Sequence, residues 1–167
     1  MNNNKIVLLD DENYAQDVFE LMSNYTKELS VFYDKDILNE IKNQFQYKNI
    51  VSSLKDPLIK RTNDEINRNY FGLVNNSRLE ALAIKEYVVG ANWDWLAQIY
   101  SSQKRKGFGL NLMEYCISDS INQNMEEMGL DVSVHNAPAL NMYRKLGFEE
   151  ETCLDDTESM IRMWKRL

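Results

Sequence analysis

The 167-residue sequence is poor in residues that ligate metals or break a chain, with one His, two Cys, two Pro and six Gly. Cys116 and Cys153 lie far apart and form no CxxC, and a lone His135 beside two scattered thiols makes no zinc pattern. No metal is expected. Long apolar runs are missing too. After Asn2-Asn3-Asn4-Lys5 only Ile6–Leu9 is apolar before Asp10 and Asp11. A signal peptide needs a longer apolar stretch and a membrane span needs about 18 such residues, so a cytoplasmic location away from membranes is expected. Excess positive charge is also lacking: 19 Lys and Arg stand against 26 Asp and Glu, a formal charge of −7. Phosphate backbones demand net basic faces, which argues against general nucleic-acid binding. A cationic partner remains compatible.

What is present suits one folded domain over residues 1–167. Apolar residues make up 44% and aromatics 11%, which excludes disorder. A chain of this size buries roughly 70% of its extended surface, enough for a core without disulfides or structural metals. The Ile6–Leu9 run has strand length. Tyr14, Val18, Leu21, Met22 and Tyr25 recur at helical spacing, as do Ile37, Leu38, Ile41 and Phe45. The mostly polar stretch from Ile50 to Tyr70 reads as a helical extension followed by a loop. Three strands are then expected at Tyr70–Val74, Leu79–Val89 and Trp93–Tyr100, parted by hairpin residues Asn75-Asn76-Ser77 and Gly90-Ala91-Asn92. Leu112, Met113, Cys116, Ile117 and Ile121 stripe a helix running to Gly129, which makes Cys116 a core residue. Leu130–Val134 reads as a strand. Ala137–Leu146 reads as a helix with Pro138 in its first turn and Gly147 past its end. Met160–Leu167 closes the sheet. Hairpins followed by strand–helix–strand units imply a mixed α+β fold with helices on the sheet's faces.

Gln103-Lys104-Arg105-Lys106-Gly107-Phe108-Gly109 carries the sharpest local signal, because it combines the densest basic triplet with a Gly-x-Gly at a helix start. Backbone approach at the glycines, unpaired N–H groups and the positive helix end suit a phosphate. A Walker A loop would need Gly-Lys-Ser/Thr, but Leu110 follows Gly109. The dinucleotide fingerprint would need glycine at Leu112. By itself the loop reads equally well as a glycine-bearing turn with solvated charges.

A second segment, Leu130 to Phe148, resembles the strand–helix signature of GNAT-type N-acyltransferases: an apolar strand, Asn-x-x-Ala, Tyr, then Lys-Leu-Gly-Phe. Asn136, Ala139, Tyr143, Lys145, Leu146, Gly147 and Phe148 match at the family's spacing. The upstream loop resembles the family's acetyl-CoA motif, Arg/Gln-x-x-Gly-x-Gly/Ala, with Lys104 at the Arg/Gln position. Lysine keeps the charge but lacks the guanidinium fork. The resemblance implies a GNAT fold, with a mostly antiparallel sheet of about six to seven strands and a splayed parallel pair. It implies acetyl-CoA as acyl donor, its pantetheine arm lined by Ile99, Tyr100 and Ser101. The pyrophosphate would be cradled by Lys104, Arg105, Lys106, Gly107, Phe108, Gly109 and Leu110, with Asn136 and Tyr143 beside the arm.

The implied activity is acetyl transfer to a primary amine by direct attack in a ternary complex. An alkyl ammonium with pKa near ~10.4 costs about 4.6 kcal/mol to deprotonate at pH 7, so a base or water path is needed. Glu86 and Asp94 are candidates; Trp93 and Trp95 flank Asp94 and either raise its pKa by desolvation or form an acceptor pocket, and a solvated aspartate near a turn reads equally well. His135 reads mainly as structural. A backbone N–H near Ile99 is the natural oxyanion donor, and Tyr143 is the group to meet the departing thiolate. The acceptor is expected to be a small-molecule or peptide amine, with positive charge favoured by the six acids within Glu149–Glu158. Those acids serve equally well as a solubilising loop. The rival reading is a non-catalytic module that binds coenzyme A or a protein, and an exposed final strand could pair in a homodimer.

Overall fold

Residues 4–31, 35–60, 65–153 and 159–167 are described by a computed structural model. Eight strands and five helices follow in order: β1 (Asn4–Leu8), α1 (Ala15–Leu29), α2 (Lys35–Gln44), α3 (Tyr47–Lys55), β2 (Leu58–Lys60), β3 (Glu65–Asn75), β4 (Arg78–Val88), β5 (Trp93–Ser101), α4 (Phe108–Asn122), β6 (Glu127–Ser133), α5 (Ala137–Lys145), β7 (Glu149–Cys153) and β8 (Met160–Arg166). The strands form one sheet in the order β1-β3-β4-β5-β6-β8-β7, with short β2 beside β3. Among the described residues, only β5 and β6 run parallel; the other pairings are antiparallel. The mixed sheet with helices on both faces therefore matches the reading of the sequence.

Turn chemistry sets the central register. Asn75 pairs with Arg78, and Asn76 and Ser77 between them take φ of 50° and 63°. Two positive φ values match the twist of the flanking strands. Side-chain alternation then splits the core in two. Val18, Met22, Ile50 and Leu54 of α1 and α3 pack on Tyr70, Leu82, Ile84 and Tyr100. On the other face Phe108, Leu112, Met113 and Cys116 of α4, with Leu140 and Tyr143 of α5, pack on Phe71, Ala83, Leu96, Met128 and Met163. Each fully buried Leu or Met contributes about 1.5–3 kcal/mol relative to exposure.

Several boundaries differ from expectation, each for a local reason. β3 begins at Glu65 rather than Tyr70, because Asn67, Arg68 and Asn69 pair with Tyr87, Glu86 and Lys85 despite their polarity. α4 stops at Asn122, since Asn124 takes a left-handed φ of 59°, and β6 starts at Glu127. The acidic stretch read as a loop contributes β7, which pairs with β8 through Glu149–Trp164 and Glu150–Met163. Asp155, Asp156 and Glu158 lie outside the described residues. No helix among the described residues is long and apolar enough to cross a membrane.

Candidate active site

β5 and β6 pair only through Trp93–Glu127, Asp94–Met128 and Trp95–Gly129. Beyond that point they part. On the β4 side, Ile84 pairs with Gln98 and Lys85 with Leu96, so Ala97 is an extra residue that bends β5 at the point of parting. Ser102 N–H donates to Glu80 O at 2.9 Å. Strand alternation therefore turns the amides of Ile99 and Ser101 to the other edge, where β6 has drawn away. Tyr100 presents the opposite backbone edge to β4, so of the three residues expected to line the split, Ile99 and Ser101 do so through their amides.

At the open end of the split, α4 begins. Gly107 caps it with φ 77° and no side-chain bond, and Asn111 N–H is bonded back to Gly107 O at 2.9 Å. The first-turn amides of Phe108, Gly109 and Leu110 thus start the helix without a side-chain cap, at its positive end. Arg105 also takes a left-handed φ of 62°. A Cβ built on Gly109 meets no atom within 4 Å, and its φ is ordinary. Nothing in the protein's own packing requires glycine there.

Lys104 is turned toward α1. Its ammonium lies 2.7 Å from Glu28 and 4.5 Å from the Tyr100 ring centroid, while the Tyr100 hydroxyl donates to Glu28 at 2.7 Å. Burial pushes the Tyr100 phenol well above its ordinary value, and the bond to Glu28 adds to that. Partial burial raises the Glu28 carboxyl, yet hydrogen bonds from Lys104 and Tyr100 outweigh it and hold the group below the usual carboxylate range. Glu28 carries no local signal, because its partners are distant in the chain: Tyr100 lies 72 residues on, and Lys104 lies in the loop that follows β5.

Asn136 caps α5, its side-chain oxygen accepting from Ala139 N–H at 3.3 Å. That employs its oxygen in holding the helix at the end of β6. Tyr143, on the same helix, is buried edge-on against Phe148 with centroids 5.8 Å apart. It belongs to the core shared by α4, Leu96 and Val132, with Ile99 packed against it. His135 is exposed in the turn between β6 and α5.

The two carboxylate candidates fall on opposite faces. Asp94 is not solvated, which corrects that expectation; it is desolvated by α4 and Lys85 rather than by the neighbouring tryptophans, which turn to the other face. It is fully buried on the α4 face, 2.8 Å from the Lys85 ammonium, and accepts from the Ser120 hydroxyl. Lys85, also fully buried, reaches Asp119 at 2.6 Å and Ser120 at 3.0 Å, which satisfies its three donors. This cluster ties β4, β5 and α4 together and leaves Asp94 no route to an acceptor. Glu86 faces the opposite side, beside its cross-strand partner Trp95, and accepts from Arg68 Nε at 2.5 Å. Cys116 is a core residue whose thiol burial pushes up to about 12.

Residues 54–148 match the model of the acetyltransferase (GNAT) family. The Escherichia coli K12 [ribosomal protein bS18]-alanine N-acetyltransferase is 29% identical over 82 residues, covering 49% of this chain and 55% of that one. An N-alpha-acetyltransferase from Sulfurisphaera tokodaii is 33% identical over 81 residues, 48% of this chain and 45% of that one. The chain thus spans about half the length of the curated relatives it matches. Among solved structures, the PaiA N-acetyltransferase of Thermoplasma acidophilum, in complex with coenzyme A, superposes with a TM-score of 0.79 at 18% identity, covering 99% of both chains. The Escherichia coli ribosomal-protein-S18-alanine N-acetyltransferase gives 0.66 at 19% identity, covering 98% of this chain and 93% of that one. At these identities the structures establish the shared fold.

Proposed function

This chain belongs to the acetyltransferase (GNAT) family, and on that footing we propose that it moves an acetyl group from acetyl-CoA to the primary amine of a peptide or protein, both substrates being bound together. The observation that carries the reading is the parted strand pair ending at an uncapped helix start, where Gly109 leaves room that no protein atom fills. Backbone donors, a positive helix end and the bases Arg105 and Lys106 fit a pyrophosphate. Ile99 and Ser101 offer their amides to an extended amide-bearing arm in the split.

Acetyl-CoA, when bound, supplies an acyl group activated as a thioester. The chain's residues then have separable tasks. The Ile99 N–H faces the split and suits charge developing on a carbonyl oxygen. Tyr143 suits the departing sulfur. A phenol near ~10 is a weaker acid than a thiol near ~8.5, so hydrogen bonding with late proton transfer is its role. Glu86, held by Arg68 on the other face beside the apex, is the carboxylate on the acceptor's side and the proposed base, directly or through a water. Asn136 positions α5, and through it Tyr143.

The acceptor class follows the two relatives named for alanine and alpha-amine acetylation. Steering of a cation by the acidic segment is weakened at Glu150, which is paired with Arg144, while Glu151 keeps its charge and accepts from Trp164 Nε1 at 2.8 Å. Thiol release from acetyl-CoA, measured across peptides with free N-termini, blocked peptides with one lysine, and polyamines, tests the reading. Release with free N-termini and an acetylated product is expected. Tight coenzyme A binding with no release for any amine would replace it with the non-catalytic module.

A further inference from the structure

All three tryptophans of the chain come together on one sheet face. Trp93 and Trp95 of β5 alternate with Asp94 and so face away from α4, and Trp164 of β8 meets both edge-on, at centroid distances of 6.0 and 5.6 Å. Gly129 of β6 lies beneath. A Cβ there would stand 2.5 Å from Trp95 and 2.7 Å from Trp164, so glycine is what lets the two indoles cross the strand. Among the described residues, the core under α1–α3 takes no side chain from β6, β7 or β8. The indoles instead wall an open groove of about 600 Å³ with Ile66, Val88 and Arg162. Ligand sites commonly fall at ~300–1,000 Å³, apolar with a few polar groups.

The groove adjoins the apex of the split, because Trp95–Gly129 is the last pair before β5 and β6 part. Two of its carboxylates are already matched, and a third, Glu151, accepts from Trp164 Nε1 and acts on Arg162. Glu86 is held by Arg68, and Asp131 takes Arg162 Nε at 3.0 Å. The Arg162 guanidinium itself occupies the Trp95 face, 5.0 Å from the centroid. On the Trp95 face a second cation would meet the Arg162 guanidinium, whereas a neutral apolar side chain displaces water from indole at no electrostatic cost.

We propose that this groove is a specificity site that takes an aromatic or large aliphatic side chain of the acceptor, next to the residue whose amine reacts. The inference rests on the acetyl-transfer reading and deepens it. It parts from a cationic acceptor at this position.

Because every indole lies in the groove, intrinsic fluorescence reports on it without turnover. The full-length protein is titrated with tetrapeptide amides differing only at the second residue: Phe, Leu, Ala, Lys or Glu. Phe and Leu peptides should shift the emission and bind about tenfold more tightly than Lys or Glu peptides. Trp93→Ala should erase that preference, Trp93→Phe should restore most of it, and neither should alter coenzyme A affinity measured by calorimetry. Lys binding as tightly as Phe, or a preference intact in Trp93→Ala, would overturn the site. Product formed without any emission change would overturn the groove and leave acetyl transfer standing. A Phe-dependent shift with no product from any peptide would do the reverse.

Discussion

Tyr143 and Glu28 show how differently two side chains near one split are specified. Tyr143→Phe keeps the ring packed on Phe148 and removes only the hydroxyl. Coenzyme A affinity should hold while turnover falls by about 10²-fold or more, as for a lost general acid; wild-type kcat would make the residue purely structural. Glu28 carries a different expectation. Its folded carboxyl is held below its ordinary value by Lys104 and Tyr100, so its contribution is complete well above the unfolded value and is lost as pH falls through the folded one. The stability difference between wild type and Glu28→Gln, read from urea melts, should be flat at neutral pH and shrink as pH falls through and below the ordinary carboxylate range. A difference that grows on acidification would refute the pairing. Tyr143 was legible because its whole motif is local in sequence. Glu28 was not, since Lys104 and Tyr100 reach it only after α1 docks on β5.

Elements succeed or fail here by how they are tied. α4 presents its first-turn amides at the open end of the split because Asp119 and Ser120, near its other end, are held by Lys85 and Asp94. Lys85→Met strands a buried carboxylate and should destabilise the protein by about 3–5 kcal/mol. Asp94→Asn should cost less, because Asp119 still meets the ammonium; equal losses in denaturant melts would mean the cluster is not the tie. At the start of the same helix Gly109→Val is the cleaner probe than any change at Gly107, whose φ of 77° makes a side chain strained regardless of ligand. Calorimetry should show acetyl-CoA binding weakened at least tenfold with an unchanged melting temperature. Unchanged affinity would remove the loop from the site. The sequence disclosed α4, α5 and the hairpins through period and turn residues. It hid the polar start of β3 and the acidic β7, since neither alternates cleanly and each is a strand only through its neighbour. Lys85, which follows Ala81–Ile84 and precedes Glu86, has partners that only the fold supplies.

For the whole molecule, the sheet is asymmetric. One half is sandwiched between α1–α3 and α4, while on the α1 face the other half is left to the tryptophans. The split between β5 and β6 joins these halves, with the uncapped first-turn amides of α4 at one end and the aromatic groove at the other. No local pattern announces this, because it depends on a single extra residue at Ala97 and on Gly129 beneath two indoles. The motif resemblance carried the expectation of a splayed pair, and the register at Trp95–Gly129 locates it. The direct measurement is mass spectrometry of a free-N-terminus peptide incubated with deuterium-labelled acetyl-CoA and the protein, wild type beside Gly109→Val. Acetyl transfer requires the intact label on the peptide's α-amine, formed by wild type and strongly reduced in the variant. An unlabelled peptide despite bound cofactor, or equal labelling by both proteins, would contradict it.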